Sequence, residues 1–250
     1  MTTGHRPASC DVLASYLLAK LAVVEAGFEH ELAWQEQRCV DDVDERFFLR
    51  EAAWVVLSSG MRESVVRRIF PAVEGSFGQW RSAAWIVAHR KECTGQAQRA
   101  FQHARKLEAI VEIARTVACR GLDAVLSDLR EQGPDALLGL PYMGPATSRH
   151  LAKNLGIDTA KPDRHLVRVA EATGYDSPAS LCKFIARMVG DAIAVVDLVI
   201  WRFATLSADY LEFFQYRRCS GCHGAGEQHP LGGNRLIDDG KQERRASEGV

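Results

Sequence analysis

"LPYMGPATSRHLAKNLGIDTAKPDRHLVRVA", residues 140–170, is the stretch on which the reading of this chain turns. A Gly-Pro turn between apolar runs opens a helix from about Pro145 to Leu155, with Gly156 as its stop. Pro145 suits a first helical position, because its missing N–H is one the helix leaves unpaired anyway. A helix N-terminus reached through a glycine carries free amide donors and the positive end of the helix dipole, which suits a phosphate. Here Gly144 allows close backbone approach, Thr147 offers a hydroxyl, and Arg149 and Lys153 add positive charge over the next two turns. The same residues also fit a plain helix–turn–helix connection with basic side chains on its surface. At the far end, Asp163 stands at the N-cap position of "RHLVRVAEATG", whose stop is Gly174.

Outward from this stretch the pattern is helical almost throughout. "DVLASYLLAKLAVVEAG" has apolar residues at helical spacing and ends at Gly27. "RFFLREAAWVVLSSG" and "RESVVRRIFPAV" are two helices divided at Ser58-Ser59-Gly60, with Pro71 near the end of the second. "SFGQWRSAAWIVAHR" is expected to start at a Ser76 cap, and "TGQAQRAFQHARKLEAIVEIARTVACRG" reads as one long amphipathic segment closed by Gly121. "LDAVLSDLREQG" and "DALLGL" are shorter pieces split at Gly133-Pro134. "SPASLCKFIARMVG" carries Ser177 as cap and Pro178 at the first helical position. "DAIAVVDLVIWRFATLS" and "ADYLEFFQYRR" complete the body. No run of period-2 alternation appears, so the chain is expected to be all-α.

Composition narrows the class. The 250 residues and 27.7 kDa allow one large or two small domains. A hydrophobic fraction of 47% beside 25% charged residues is that of a globular protein. The opening "MTTGHRPASCDVL" has no secretory pattern, and the longest apolar run, "IAVVDLVIW", is interrupted by Asp197 and too short for a bilayer. Seven scattered cysteines suit reduced thiols, so a cytoplasmic protein without a membrane partner is expected. A formal net charge of −1 excludes a chain that coats nucleic acid by bulk charge, yet charge is segregated. Asp41, Asp42, Asp44 and Glu45 cluster in one place. Arg149, Lys153, Lys161, Arg164 and Arg168 gather in residues 145–170 against Asp158 and Asp163.

The order "LPYMGPAT", about a dozen residues, then "KPDRHLVRV" resembles the signature of the helix-hairpin-helix DNA glycosylase superfamily, in its endonuclease III-like and alkylpurine glycosylase-like branches. That family has a hairpin of pattern L-P-x-x-G-x-x-T, followed by a loop and then an Asp in V-D-x-H-x-x-R-V. Asp163-Arg164-His165-Leu166-Val167-Arg168-Val169 matches the second element position by position, with Pro162 as the departure. The upstream "FFLREAAWVVLSSGMRESVVRRIFPAV" is also similar to the family's first barrel helix and its successor, so the resemblance covers roughly residues 45–205.

The resemblance implies an all-α protein of two helical subdomains within residues 1–218. A central lobe would span about 46–156 with the hairpin at 137–155, and a second lobe would combine 1–45 with 157–218. It implies a monomeric base-excision-repair enzyme, nucleoid-associated through double-stranded DNA containing a damaged or modified base. Breaking an N-glycosidic bond develops positive charge on the sugar, and Asp163 holds the position of the carboxylate that stabilises it and activates water. Asp163 also suits a plain N-cap, and the two roles are compatible. Bifunctional members carry a nucleophilic lysine directly before the hairpin Thr. Ala146 occupies that place here, which implies a monofunctional hydrolase needing no cofactor for catalysis. Lys161 and Lys153 keep open a bifunctional glycosylase and abasic-site lyase. A non-catalytic helix-hairpin-helix DNA-binding protein is the other alternative.

By the same match Gly144, Thr147, Arg149, Lys153, Lys161 and Arg164 are candidate DNA contacts. The loop "SSGMRE" lies where the family inserts a residue into the duplex, which makes Met61 and Arg62 candidates for a wedge. Tyr142 and Trp54 are candidate walls of a base pocket, with Trp34 and Trp85 behind them, although each also suits core packing. Asp197 lies in an apolar helix and needs a partner, an arginine such as Arg168 or a group in the pocket. After Arg218 the composition turns Gly-rich and polar, so 219–250 is expected to be a flexible tail. Its "CSGCHGAG" has the CxxC spacing of a zinc site and looks like one half-repeat of the zinc motif in Hsp40-type chaperones. Cys219 and Cys222 are candidate zinc ligands, with His223, His229 or a distant Cys39 or Cys182 to complete the set. Two cysteines there are too few for the iron–sulfur cluster that some family members hold with four.

Overall fold

A chain this rich in helix-compatible periodicity needs caps to divide it, and the sequence supplies them. The computed structural model describes residues 9–216, where all regular structure is helical and no strand occurs among the described residues. The helices are α1 (Ser9–Val23), α2 (Glu29–Glu36), α3 (Glu45–Ser58), α4 (Glu63–Ser76), α5 (Ala83–Ala88), α6 (Arg90–Ala97) and α7 (Ala104–Arg120). They continue with α8 (Leu122–Gln132), α9 (Pro145–Asn154), α10 (Arg164–Ala172), α11 (Pro178–Val189), α12 (Ile193–Leu206) and α13 (Tyr210–Tyr216).

The caps act through ordinary amide chemistry. Asp44 accepts from the Phe47 N–H at the start of α3, and Ser177 and Ser180 form a reciprocal box at the start of α11. At the ends of α9 and α10 the chain turns back through Gly156 and Gly174. Ile157 N–H bonds Ala152 O, and Tyr175 N–H bonds Ala170 O, so both ends are closed by a glycine turn. Gly27, with φ +88°, separates α1 from α2.

Two boundaries differ from expectation. Ser76 is the last residue of α4, and the cap of α5 is Ser82, whose hydroxyl accepts from Trp85 N–H. Phe77, Gly78, Gln79 and Trp80 form a tight turn in between, which the period of apolar residues does not reveal. The segment from Thr94 to Gly121 is not one helix either. It breaks after Ala97, and α7 starts at Ala104; in the connection Phe101 is buried in the first core.

Two hydrophobic cores result. The first gathers buried residues from Val43 to Leu155, built on α3, α4, α5, α7 and α8 and closed by Leu151, Ala152 and Leu155 of α9. The second joins Val12, Tyr16, Ala19, Val23 and Leu32 to residues from Ala160 to Phe214, with α1 packed against α12. The N-terminal helices therefore pack with the last helices of the chain, and residues 156–163 carry the chain from one core to the other. No helix among the described residues is long and apolar enough to cross a membrane.

Candidate functional site

The site is built where the chain leaves the first core and enters the second. Its first wall is α9. Gly144 caps it without a side-chain bond, so the amides of Ala146 and Thr147 have no capping side chain. Thr147 hydroxyl is directed inward: it donates to Tyr142 O at 2.7 Å and to Gly144 O at 3.2 Å, which locks the hairpin turn. Tyr142 holds φ +63°, a left-handed conformation unusual for an aromatic residue, and its ring meets His103 edge-on. Arg149 lies along the same turn, donating to Pro145 O at 3.1 Å.

Three buried polar contacts anchor α9. Asn154 donates to Glu51 Oε2 of α3 at 2.8 Å. Gln35 of α2 donates to Lys153 O at 3.0 Å. Lys153 itself pairs with Asp197 of α12. Gly156 lets this end of α9 meet the backbone of Cys39: a Cβ there would lie 2.7 Å from the Cys39 carbonyl carbon.

The second wall is the segment from Lys161 to Asp163. Lys161 N–H donates to Asp197 Oδ2 at 2.6 Å, and Lys161 O accepts from Asp163 N–H at 2.8 Å. Asp163 then caps α10, its Oδ1 accepting from His165 N–H at 2.9 Å and from Leu166 N–H at 3.1 Å. Both bonds fall on the same oxygen, and Oδ2 accepts from no described residue. Asp163 is half-buried, so that oxygen sits on a rigid support at the seam between the cores.

Charge at the seam is closely balanced. Burial pushes Lys161 below the ordinary lysine range; Asp163 opposes this, Lys153 adds to it, and Asp197 and Glu63 oppose it. Burial, with the Lys161 and Lys153 cations, holds His150 well below the usual histidine range. Burial raises Asp197, against the pull of Lys153 and of the Lys161 amide. Glu63, at the start of α4, pairs with Arg67 and lies 3.5 Å from Arg202. Arg202 also binds Glu31 through Nε and Nη2, with its guanidinium over the Phe28 and Trp201 rings.

The expected site residues divide accordingly. Asp163, Lys161 and Arg164 fall together at the start of α10, and Gly144, Thr147 and Arg149 together on the hairpin. Lys153 is a correction: it is buried and paired with Asp197, and does not reach the surface as a phosphate contact. Helical spacing alone could not tell this, because the partner lies 44 residues away. Asp197 accordingly pairs with Lys153 and not with Arg168. Met61 packs partly against the first core, while Arg62 is exposed at the N-cap of α4. The turn they occupy is tied down by Lys106, whose buried amine donates to Leu57 O at 2.7 Å and Ser59 O at 2.5 Å. Trp54 is engaged in packing, 5.2 Å from the Phe70 ring and covered by the Arg67 guanidinium. Trp85 stacks on His89, and Trp34 packs on Phe47 beneath Arg38. Cys219 and Cys222 lie outside the described residues, as do His223 and His229. Cys182 is buried in the second core, and among the described residues no three His, Cys, Asp or Glu side chains converge as a metal site would require.

His150 was not singled out from sequence. The signal was there: it follows Ala146 by four residues and precedes Lys153 by three, so all three share one face of α9.

No protein-family model matches the chain, and searches of curated proteins and of solved structures gave no significant match.

Proposed function

We propose that the protein is a DNA glycosylase that hydrolyses the N-glycosidic bond of a damaged or modified base, with Asp163 as the catalytic carboxylate. The observation that carries this reading is the state of Asp163: one oxygen is bound by two amides, and the other, beside the Lys161 segment, accepts from no described residue. A carboxylate held in this way needs no reorganisation to face positive charge developing on a sugar, and it can accept a proton from an attacking water. The hairpin complements it. The uncapped start of α9 and the exposed side chain of Arg164 offer donors and charge to backbone phosphates, which position a duplex without reading its sequence. Ala146 offers no nucleophile, so the excision step uses water.

The test compares wild type with Asp163→Asn on genomic DNA carrying alkylated, oxidised and deaminated bases, with released bases identified by mass spectrometry. Asn is as good an N-cap as Asp, so the variant keeps α10 intact and isolates the chemistry. Release by wild type with loss in the variant is the expected result, and it also names the substrate. Equal release by both removes Asp163 from the reaction. Retention on DNA with no release by either would replace this reading with a non-catalytic binding protein.

A further inference from the structure

Three residues other than glycine hold a positive φ among the described residues: Gln79, Trp80 and Tyr142. Gln79 and Trp80 share one turn, where burial of the Trp80 ring against Phe70 and Phe77 offsets the strain. Tyr142, at φ +63°, has no such return, because the residue is 37% exposed. A left-handed backbone costs an L-residue free energy, and here burial does not offset it.

The exposed ring is nevertheless held in place. Thr147 Oγ1 donates to Tyr142 O at 2.7 Å, and Met143 N–H donates to Leu140 O at 3.1 Å, so the turn is tied on both sides. The Tyr142 ring meets His103 edge-on at 6.4 Å, and His103 stacks on Phe101 at 5.9 Å with an interplanar angle of 11°. Phe101 is buried in the first core, while His103 and Tyr142 are exposed, so the rings run from core to surface. These ring contacts lie at the connection before α7, whereas the charged groups about Lys161 and Asp163 come from α4, α9 and α12.

Positive charge flanks the pair of exposed rings. Arg105, two residues beyond His103, is exposed in the first turn of α7, which holds no acid. Arg149 stands on the second turn of α9, and Asp135 is the acid beside it at 3.8 Å. An exposed aromatic ring between arginines suits a nucleobase, since every base offers a π-face and the cations hold the phosphates on either side. A base inside a duplex has both faces covered by its neighbours in the stack, so the base that lies on such a ring is an unpaired one.

We propose that Tyr142, backed by His103, is a stacking platform for an unpaired nucleobase, so that the hairpin grips DNA where a duplex passes into a single strand. The proposal rests on the glycosylase reading only for the choice of DNA as partner, and it uses none of the chemistry at Asp163.

The experiment uses the full chain and undamaged, fluorescein-labelled DNA: a blunt duplex, and the same duplex with a short single-stranded extension at its 3′ or its 5′ end. Binding is read by anisotropy at one salt concentration. Wild type is expected to bind an extended duplex about 10-fold more tightly than the blunt one, as one base stacked on an aromatic side chain would give. Tyr142→Phe keeps this preference. Tyr142→Asn, which tolerates the left-handed backbone and lacks the ring, abolishes it. Circular dichroism and the urea midpoint verify that the Asn variant folds. A 2-aminopurine at the first unpaired position should lose fluorescence on binding wild type and not on binding Tyr142→Asn. Equal affinity of wild type for blunt and extended duplexes overturns the proposal. A preference that survives Tyr142→Asn also overturns it, because the platform then lies elsewhere. A preference carried by Tyr142 in a protein that releases no base upholds the platform while the glycosylase reading fails. Absence of binding to every one of these DNAs overturns both.

Discussion

Lys153 of α9 and Asp197 of α12 form a buried ion pair that joins the hairpin helix to the second core, and the free oxygen of that carboxylate binds the Lys161 amide. One carboxylate therefore fixes both walls of the candidate site. Two charges withdrawn from water are costly, and they persist because each supplies the bonds the other needs.

Removing one partner strands the other. Lys153→Met is expected to destabilise the protein by roughly 3–5 kcal/mol, since it leaves a buried carboxylate uncompensated. Adding Asp197→Asn should recover a large part, because the amide oxygen still accepts from Lys161 N–H. Urea unfolding of the single and double variants measures both, and equal losses in the two would contradict the pairing.

His150 sets a pH dependence. Its folded-state value is held below the ordinary 6.5, so above that pH both folded and unfolded chains are neutral there and no cost arises. As pH falls below 6.5 the unfolded chain takes up a proton that the folded chain refuses, and stability is lost until the folded value is passed. The slope is at most about 1.4 kcal/mol per pH unit. His150→Gln should therefore lose less stability than wild type between pH 7.5 and 5, read as the shift in urea midpoint.

Phosphate contacts are expected from Arg149 and Arg164 and not from Lys153. Arg149→Ala with Arg164→Ala should weaken retention on undamaged duplex and flatten its dependence on salt by about two phosphate equivalents. Fluorescence anisotropy over a range of salt concentrations measures the slope; an unchanged slope would take these residues off the DNA.

Two glycines separate strain from collision. Gly60 has φ +70° with nothing within 4 Å of a built Cβ, whereas Gly156 has φ +97° and a Cβ there meets Cys39 backbone at 2.7 Å. Gly60→Ala is expected to cost about 1 kcal/mol from the backbone alone. Gly156→Ala should cost clearly more, because backbone on both sides must move. Thermal unfolding of the two variants ranks them.

Asp163 carries a structural duty that is separable from its proposed chemistry. Asp163→Ala is expected to lose about 1 kcal/mol through the lost cap, while Asp163→Asn stays close to wild type. Equal destabilisation by the two would show that the carboxylate charge, and not the capping oxygen, holds α10.

The sequence by itself determined whatever depends on neighbours along the chain. Asp163, Ser177 and Pro178 are legible as helix starts, and Gly27, Gly121 and Gly156 as stops, because caps and left-handed turns act over a few residues. The all-helical class followed from the same periodicity. Only the tertiary structure decided that Ser82 and not Ser76 caps α5, and that Phe101 is buried in the connection before α7. It alone buried Lys153 against Asp197. These outcomes depend on which distant side chain fills a low-dielectric space first. The range of a charge pair is set by distance in space, and spacing along the chain carries no record of it.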